Sequence, residues 1–488
     1  MLKILIIKEI RFYFTNPKFV SVFSTCVLLI LLSVFLGIRQ YQSAVSQFET
    51  GTRLARQDIQ ERNSWAGLRT RAFREPDPMQ IFVSGVSNDI GRLSAVSEWE
   101  QVKLRNSPYS DDPLLASFRI LDFSFIVQIV LSLLAIMFTY NAINGEREAG
   151  TLKLIFANPV PRTRFLMAKF AGSWLGLTIP LTVPLLIVCL MLFTYNVPLT
   201  TGHWIRIILL FGLSVLYYTF FIISGIAVSA LAKNSPVSLL VLLVIWVVLV
   251  LIIPRAGVLT AANFVPVPGA AEVEAQIEGF SAGQWKLHEK AMSEAWERRN
   301  AEMAGLSKEQ RRAYEDAHMW SWMEEDEACR KALQARVSEY ARRLQEEIRN
   351  RRHRQQILAF GFARVSPAAA FNLAAMSLSS TGIEMKDRYE TAIGDYKDRL
   401  AAFTEAKADE GGEPGGIQIM FDSENGFSIR TADMKKTLDI SDMPHFDQPK
   451  VSLAGILPGV LFDLFAIVLG SMLVFALAWL AFLKYDLR

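Results

Sequence analysis

Long apolar runs alternate along this chain with polar segments of very unequal length. A run of about 20 apolar residues wound as a helix matches the roughly 30 Å hydrocarbon layer of a bilayer. On that criterion residues 19–38, 120–143, 170–195, 205–231, 236–253 and 451–483 are predicted transmembrane helices. Pro180 and Pro184 inside the third run predict a kink. Ahead of the first run, residues 1–18 put Leu2, Leu5, Ile6, Ile10 and Phe14 on one helical face, with Lys3, Lys8, Glu9 and Arg11 elsewhere. That is the pattern of an interfacial amphipathic helix, broken at Asn16–Pro17. The run that follows is too long for the apolar core of a cleavable signal, and no small-residue cleavage pattern follows it.

The polar segments set the topology. Residues 144–169 carry Arg147, Lys153, Arg162, Arg164 and Lys169 against Glu146 and Glu148. A short basic connector stays in the cytoplasm because positive residues resist translocation. Alternation then puts residues 1–18 and 484–488 in the cytoplasm. It puts two large insertions, 39–118 and 255–450, outside. The first insertion is rich in arginine, but long domains translocate largely regardless of charge. It reads as helical over 39–73, with Val45, Phe48, Leu54 and Ile59 at helical spacing, then as mixed helix and loop. In the second insertion 272–303 reads as helix, and Ser307 with Gln310 forms a capping box that opens another. An apolar stripe at Leu333, Val337, Tyr340, Leu344 and Ile348 carries that helix to about Phe360. About 50 residues at 1.5 Å each give an arm of roughly 80 Å. Residues 364–403 hold a further helical pattern, 410–416 a flexible linker, and 417–447 a weak strand-like alternation. The two insertions are expected to combine as one extracytoplasmic domain. The fold class is therefore an all-α polytopic membrane protein with six transmembrane helices and a mainly helical outer domain.

Composition agrees. Hydrophobic residues make up 51% of the chain, and the formal net charge of +3 is too small to suggest nucleic acid. The 3 cysteines, Cys26, Cys189 and Cys329, are too scattered for a disulfide framework. His288, His318 and His353 have methionines near them, but their spacing puts no two on one helix face, so no metal site is expected.

Residues Glu146-Arg147-Glu148-Ala149-Gly150-Thr151-Leu152, followed by Asn158-Pro159-Val160 and Lys169, resemble the signature of ABC-2-type ABC transporter permeases. The six-span plan with its N-terminal interfacial helix resembles that family too. Ala363–Pro367, Ser377–Gly382 and Tyr389–Arg399 look like the subgroup of large-insertion permeases linked to multicopper-enzyme maturation, and Asp122 at the head of the second span fits that group. The resemblance implies a membrane subunit whose ATP and Mg are bound by a separate ABC ATPase. The chain itself has no phosphate-binding GxxxxGK[ST] loop. It also implies a second permease copy or a related permease, and location in the bacterial inner membrane.

The ATPase needs a rigid docking element. Glu146, Arg147, Glu148, Gly150, Thr151, Leu152, Leu154, Phe156 and Pro159 are the candidates: acidic residues near a helix start, an apolar surface after them, and prolines at Pro159 and Pro161 to end the helix. The plainer alternative is an ordinary basic loop. Asp122 and Asp463 lie within spans, where charges are costly and often functional. Arg119, Arg206 and Arg255 are their candidate partners, and a structural ion pair is the alternative. Trp285, Trp296, Trp320 and Trp322 on the arm are candidate anchors for a periplasmic protein or lipoprotein. Packing within the protein is the alternative. No nucleophile elbow or zinc-hydrolase motif occurs. The reading is thus a non-catalytic permease subunit that couples ATP hydrolysis to export or to work on an outer partner. A scaffold that recruits periplasmic proteins without transport is the rival.

Overall fold

The computed structural model describes residues 2–62, 65, 68–97, 102, 104–107, 121–158, 160–409, 417–422, 426–431 and 438–483. Helix α1 (Leu2–Thr15) ends where Asn16 caps α2 (Pro17–Gln60). Asn16 accepts from the Lys18 amide at 3.0 Å, and Pro17 takes a first-turn position whose N–H has no helical partner anyway. Helix α2 does not stop at membrane length. No proline interrupts it after Pro17, and a buried stripe of Ile38, Tyr41, Ala44 and Ile59 runs on through its charged half.

The sequence predicts helix to Phe73, but Thr70–Phe73 is a strand, β1. It pairs antiparallel with β2 (Leu93–Val96), Thr70 opposite Val96. Thr70 and Ala72 are buried while Arg71 is exposed, the two-residue period of a strand. Next come α3 (Phe123–Glu148), α4 (Thr151–Ala157), α5 (Arg162–Thr194), α6 (Thr201–Leu231) and α7 (Ser235–Phe264). Then follow α8 (Ala270–Glu302), α9 (Lys308–Ala363), α10 (Pro367–Leu378), α11 (Ile383–Asp409), the antiparallel pair β3 (Ile417–Asp422) and β4 (Gly426–Thr431), and α12 (Leu453–Leu483). Among the described residues, α2, α3, α5, α6, α7 and α12 are the 6 helices long and apolar enough to cross a membrane.

The chain forms two compact units. Residues 253–363 are one and the remainder is the other. In the larger unit the spans share one core around Tyr217, Tyr218, Phe221 and Phe371. Phe371 belongs to α10, whose Ala368, Ala370, Ala374 and Ala375 are buried in that same core. Residues 364–403 were expected to lie wholly in the outer insertion. Their first helix is instead a short element seated among the spans, stacked by Phe371 on Tyr217 at 4.7 Å. Ser366 caps α10 and also bonds the Leu249 carbonyl, in a stretch where α7 widens into a π-helical turn, Val248–Ile252. A similar turn in α3, Ile126–Leu131, has the Gln128 carbonyl taken by the Tyr217 hydroxyl at 2.9 Å. Polar groups on neighbouring helices thus satisfy carbonyls that lipid would leave bare.

Both insertions contribute to a second, smaller core. Ile59, Leu68, Ala72 and Val96 from the first meet Ile393, Tyr396, Leu400 and Met443 from the second. Arg74, which follows β1, is buried and donates to the Ser87 carbonyl at 2.7 Å. Burial pulls its pKa down to about 10, so it stays charged at neutral pH.

The smaller unit is built on an antiparallel helical hairpin. Phe280 of α8 stacks on Tyr340 of α9 at 4.1 Å. Arg299 reaches Glu325 and Asp326, each at 3.0 Å, and lies 5.2 Å from the Trp322 ring. Ser307 and Gln310 exchange the two capping-box bonds at the start of α9, at 3.1 and 3.4 Å. The 56 residues of α9 make it roughly 80 Å long.

Candidate functional site

The foot of α3, α4 and the start of α5 form one polar junction. Gly150 separates α3 from α4. Its φ of 73° is left-handed, where a Cβ is strained, and an added Cβ would meet nothing within 4 Å. Conformation alone therefore accounts for glycine here. Thr151 begins α4 and turns its hydroxyl back onto Glu146, bonding both the carboxylate and the backbone carbonyl.

The other oxygen of Glu146 accepts from two lysines, Lys8 of α1 at 2.9 Å and Lys169 of α5 at 3.0 Å. Lys169 also holds Glu9 of α1 at 2.8 Å. Three of these four side chains are nearly closed off: Lys169 is 6% exposed, Glu9 11% and Glu146 12%. Buried charges persist when each is paired and hydrogen-bonded, as here. The cluster has two cations and two carboxylates, so its charges cancel.

Helix α1 reaches this cluster because α5 presents Gly172 and Gly176 to it. A Cβ on Gly172 would lie 2.5 Å from the Glu9 Cβ, and one on Gly176 2.5 Å from Tyr13 Cδ2. Small residues four apart let two helices approach closely. Between them Ser173 sits 3.0 Å from the Tyr13 hydroxyl, which donates to the Phe138 carbonyl at 3.1 Å. The sequence pattern predicts that α1 rests on the membrane by an apolar face. The face it buries carries Glu9 and Tyr13, and Ile4, Ile7, Phe12 and Phe14 point outward.

Glu148 has a different task. Its two oxygens accept from the backbone and the hydroxyl of Ser235, at 2.7 and 2.8 Å, and so close the N-terminus of α7. The backbone amides of buried Asn144 and Ile143 donate to the Ser229 hydroxyl oxygen at the end of α6, at 3.2 and 3.0 Å. Arg162 donates to the Leu483 carbonyl at the end of α12, at 2.5 Å, a cation at the negative end of a helix.

The predicted docking residues therefore divide. Glu146, Glu148, Gly150 and Thr151 fix the segment, and Leu152 is 3% exposed. Phe156 lies between Phe165 and Phe482, with ring centroids 5.4 and 6.2 Å away. The expected apolar surface is thus mostly turned inward. Outward remain Arg147, Ala149, Lys153, Leu154, Ala157 and Asn158, with Leu154 69% exposed. Pro159 lies outside the described residues. Sequence reasoning missed Lys8 and Glu9 as members of the cluster.

The intramembrane charges also find places. Asp463 is 1% exposed and is gripped by Arg364, which the sequence did not nominate, at 2.5 and 3.4 Å. Arg206 binds elsewhere, to Ser380, the Val451 carbonyl and Asp77. Arg119 is outside the described residues. Asp122 is the N-cap of α3: one oxygen accepts from the Phe125 amide and Ser124 hydroxyl, the other from the amide and hydroxyl of Ser84, all at 2.8–2.9 Å. Of the arm tryptophans, Trp285, Trp296 and Trp320 are exposed, and Trp322 is half-buried under Arg299. Among the described residues no group of three or more His, Cys, Asp or Glu is disposed to hold a metal ion.

Residues 4–487 match the model of a family described as ABC-2 family transporter protein. Comparison with curated proteins finds no match.

Proposed function

This chain belongs to the ABC-2 transporter family, and from that premise we propose that a separate ABC ATPase docks on Arg147–Asn158 and drives it. Membership makes the chain a membrane-spanning component of an ABC transporter. The finer reading is ours: residues 144–169 face the cytoplasm, and ATP closure of the ATPase pulls on α4. The spans and the domain built from both insertions rearrange in response. The unit works as a dimer, with a second copy or a related permease, in the inner membrane. The work done is export of a substrate or movement of an outer partner held by the exposed tryptophans of the arm.

One observation carries the reading. A short segment with an exposed face, residues 147–158, is fixed through Glu146, Glu148 and Asn144 to α1, α5, α6 and α7 at once. A surface that only joined two spans would need no such anchorage, whereas one that receives force must not yield locally.

The test is Arg147→Glu with Leu154→Glu in the full chain, co-expressed with a neighbouring ABC ATPase. Both side chains are exposed, so the fold should hold. Two lost contacts of about 1–2 kcal/mol each weaken docking by roughly 30- to 1,000-fold. ATPase co-purification should disappear. If the ATPase still co-purifies and its stimulated ATP hydrolysis is unchanged, the docking assignment is wrong.

A further inference from the structure

We propose that Lys169 is a positioning residue that makes α1 part of the moving element: its buried ammonium ties Glu146 at the foot of α3 to Glu9 of α1. The docking reading above enters only as the source of the force. The tie itself rests on geometry.

Lys169 lies between two carboxylates from different helices, at 2.8 and 3.0 Å. An ammonium has three donors and no acceptor, so one lysine can serve both without a competing role. Water is largely excluded, and Coulomb attraction between close charges is far less screened in such a place than at the surface. Parting Lys169 from Glu9 would leave a buried carboxylate without a cation, so that pair separates only at large cost. Lys8 adds a second link from α1 to the same Glu146 oxygen, but its side chain is 53% exposed, so water screens that link far more than the Lys169 pairs.

Below the cluster α1 seats closely on Gly172 and Gly176. Helix α1 is thus fastened to α5 by shape and to the α3–α4 junction by charge. Any displacement of the outward residues 147–158 passes through Glu146 to Lys169 and on to α1. The outward face of α1 carries Ile4, Ile7, Phe12 and Phe14, so what moves is a lever with an apolar outer side.

The experiment measures whether α1 and α4 move together. Spin labels are placed on the full chain at Ile4→Cys and Ala157→Cys, both exposed, with Cys26, Cys189 and Cys329 replaced by alanine. The distance distribution in lipid nanodiscs should be narrow. Lys169→Met should broaden it or add a second population, and should lower the unfolding temperature, because Glu9 loses its cation. Lys169→Met with Glu9→Gln removes the stranded charge. It should regain thermal stability yet keep the broad distribution. If the double variant regains both, Lys169 has only a folding role and the proposal fails. A narrow distribution in folded Lys169→Met overturns it too. In parallel, ATPase co-purification is scored on the unlabelled parent chain. A distribution that broadens as expected while no ATPase binds even the parent upholds the tie and removes the docking reading instead.

Discussion

Asp463 shows how a charge inside a span is kept. It is 1% exposed, and Arg364 meets it with two nitrogens while its guanidinium lies 5.0 Å from the Phe462 ring. Such a pair contributes little over a well-packed apolar pair, yet losing one partner is severe. Asp463→Ala is therefore expected to cost about 3–5 kcal/mol, and Asp463→Leu with Arg364→Met to recover most of it. Thermal unfolding of the detergent-solubilised chain reads both, and a single variant that melts like the parent removes the pair from the structure's supports. The same residues mark what a sequence can disclose at this scale. The aspartate is conspicuous because it interrupts an apolar run, but its arginine is 99 positions away. Glu146 and Lys169 stand out in a short motif. Lys8 and Glu9, 138 residues before Glu146 and 160 before Lys169, look like ordinary charges on an amphipathic helix. Local patterns name a charge; only the fold names its partner.

At the scale of elements, apolar periodicity predicts what is long and regular. The six spans and the long helix that opens at Ser307 are of that kind. It fails where burial is not local. Helix α10 is too short to cross a bilayer and is rich in alanine, so along the chain it looks like part of a polar insertion, although Phe371 is fully buried in the core of the spans. Strand β1 is hidden because four residues give too few alternations to compete with the helical pattern before them. The hairpin of α8 and α9 is a further case, since its tryptophans look equivalent in sequence. Trp322 lies against Arg299 and stacks near His318, at 6.0 Å, whereas Trp320 is 66% exposed. Trp322→Ala should destabilise the hairpin by about 1–2 kcal/mol through lost apolar and cation–π contact. Trp320→Ala should stay within about 0.5 kcal/mol. Hydrogen exchange over 290–302 reports the difference: a rise of roughly 5- to 30-fold is expected for the first variant alone. Equal protection in both would show that Arg299 and its acidic partners hold the hairpin without the ring.

Over the whole chain, the longest polar stretches are the two large insertions, 39–118 and 255–450. Where α1, α3, α4 and α5 meet, Lys8, Glu9, Glu146 and Lys169 pair with one another. Parts of both large insertions close over a single small core. The hydropathy pattern makes that union reasonable, because both insertions interrupt the spans on the same side of the alternation, but it cannot say which residues meet. Tyr396 is central to that core, 4% exposed, with Phe446 5.8 Å away between ring centroids. Replacing it by alanine should cost about 3–5 kcal/mol, as for other large buried aromatics. If the parts of the insertions that meet in this core fold as one body, that loss cannot stay on α11. The first insertion supplies Ile59, Leu68, Ala72 and Val96 to the same core, and Val86 is also tied to the Thr381 carbonyl at 2.9 Å. Tyr396→Ala should therefore raise hydrogen exchange across both 68–97 and 383–409, while α3 and α6 keep their protection. Faster exchange confined to 383–409 would mean that the first insertion is held by β1, β2 and α2 alone.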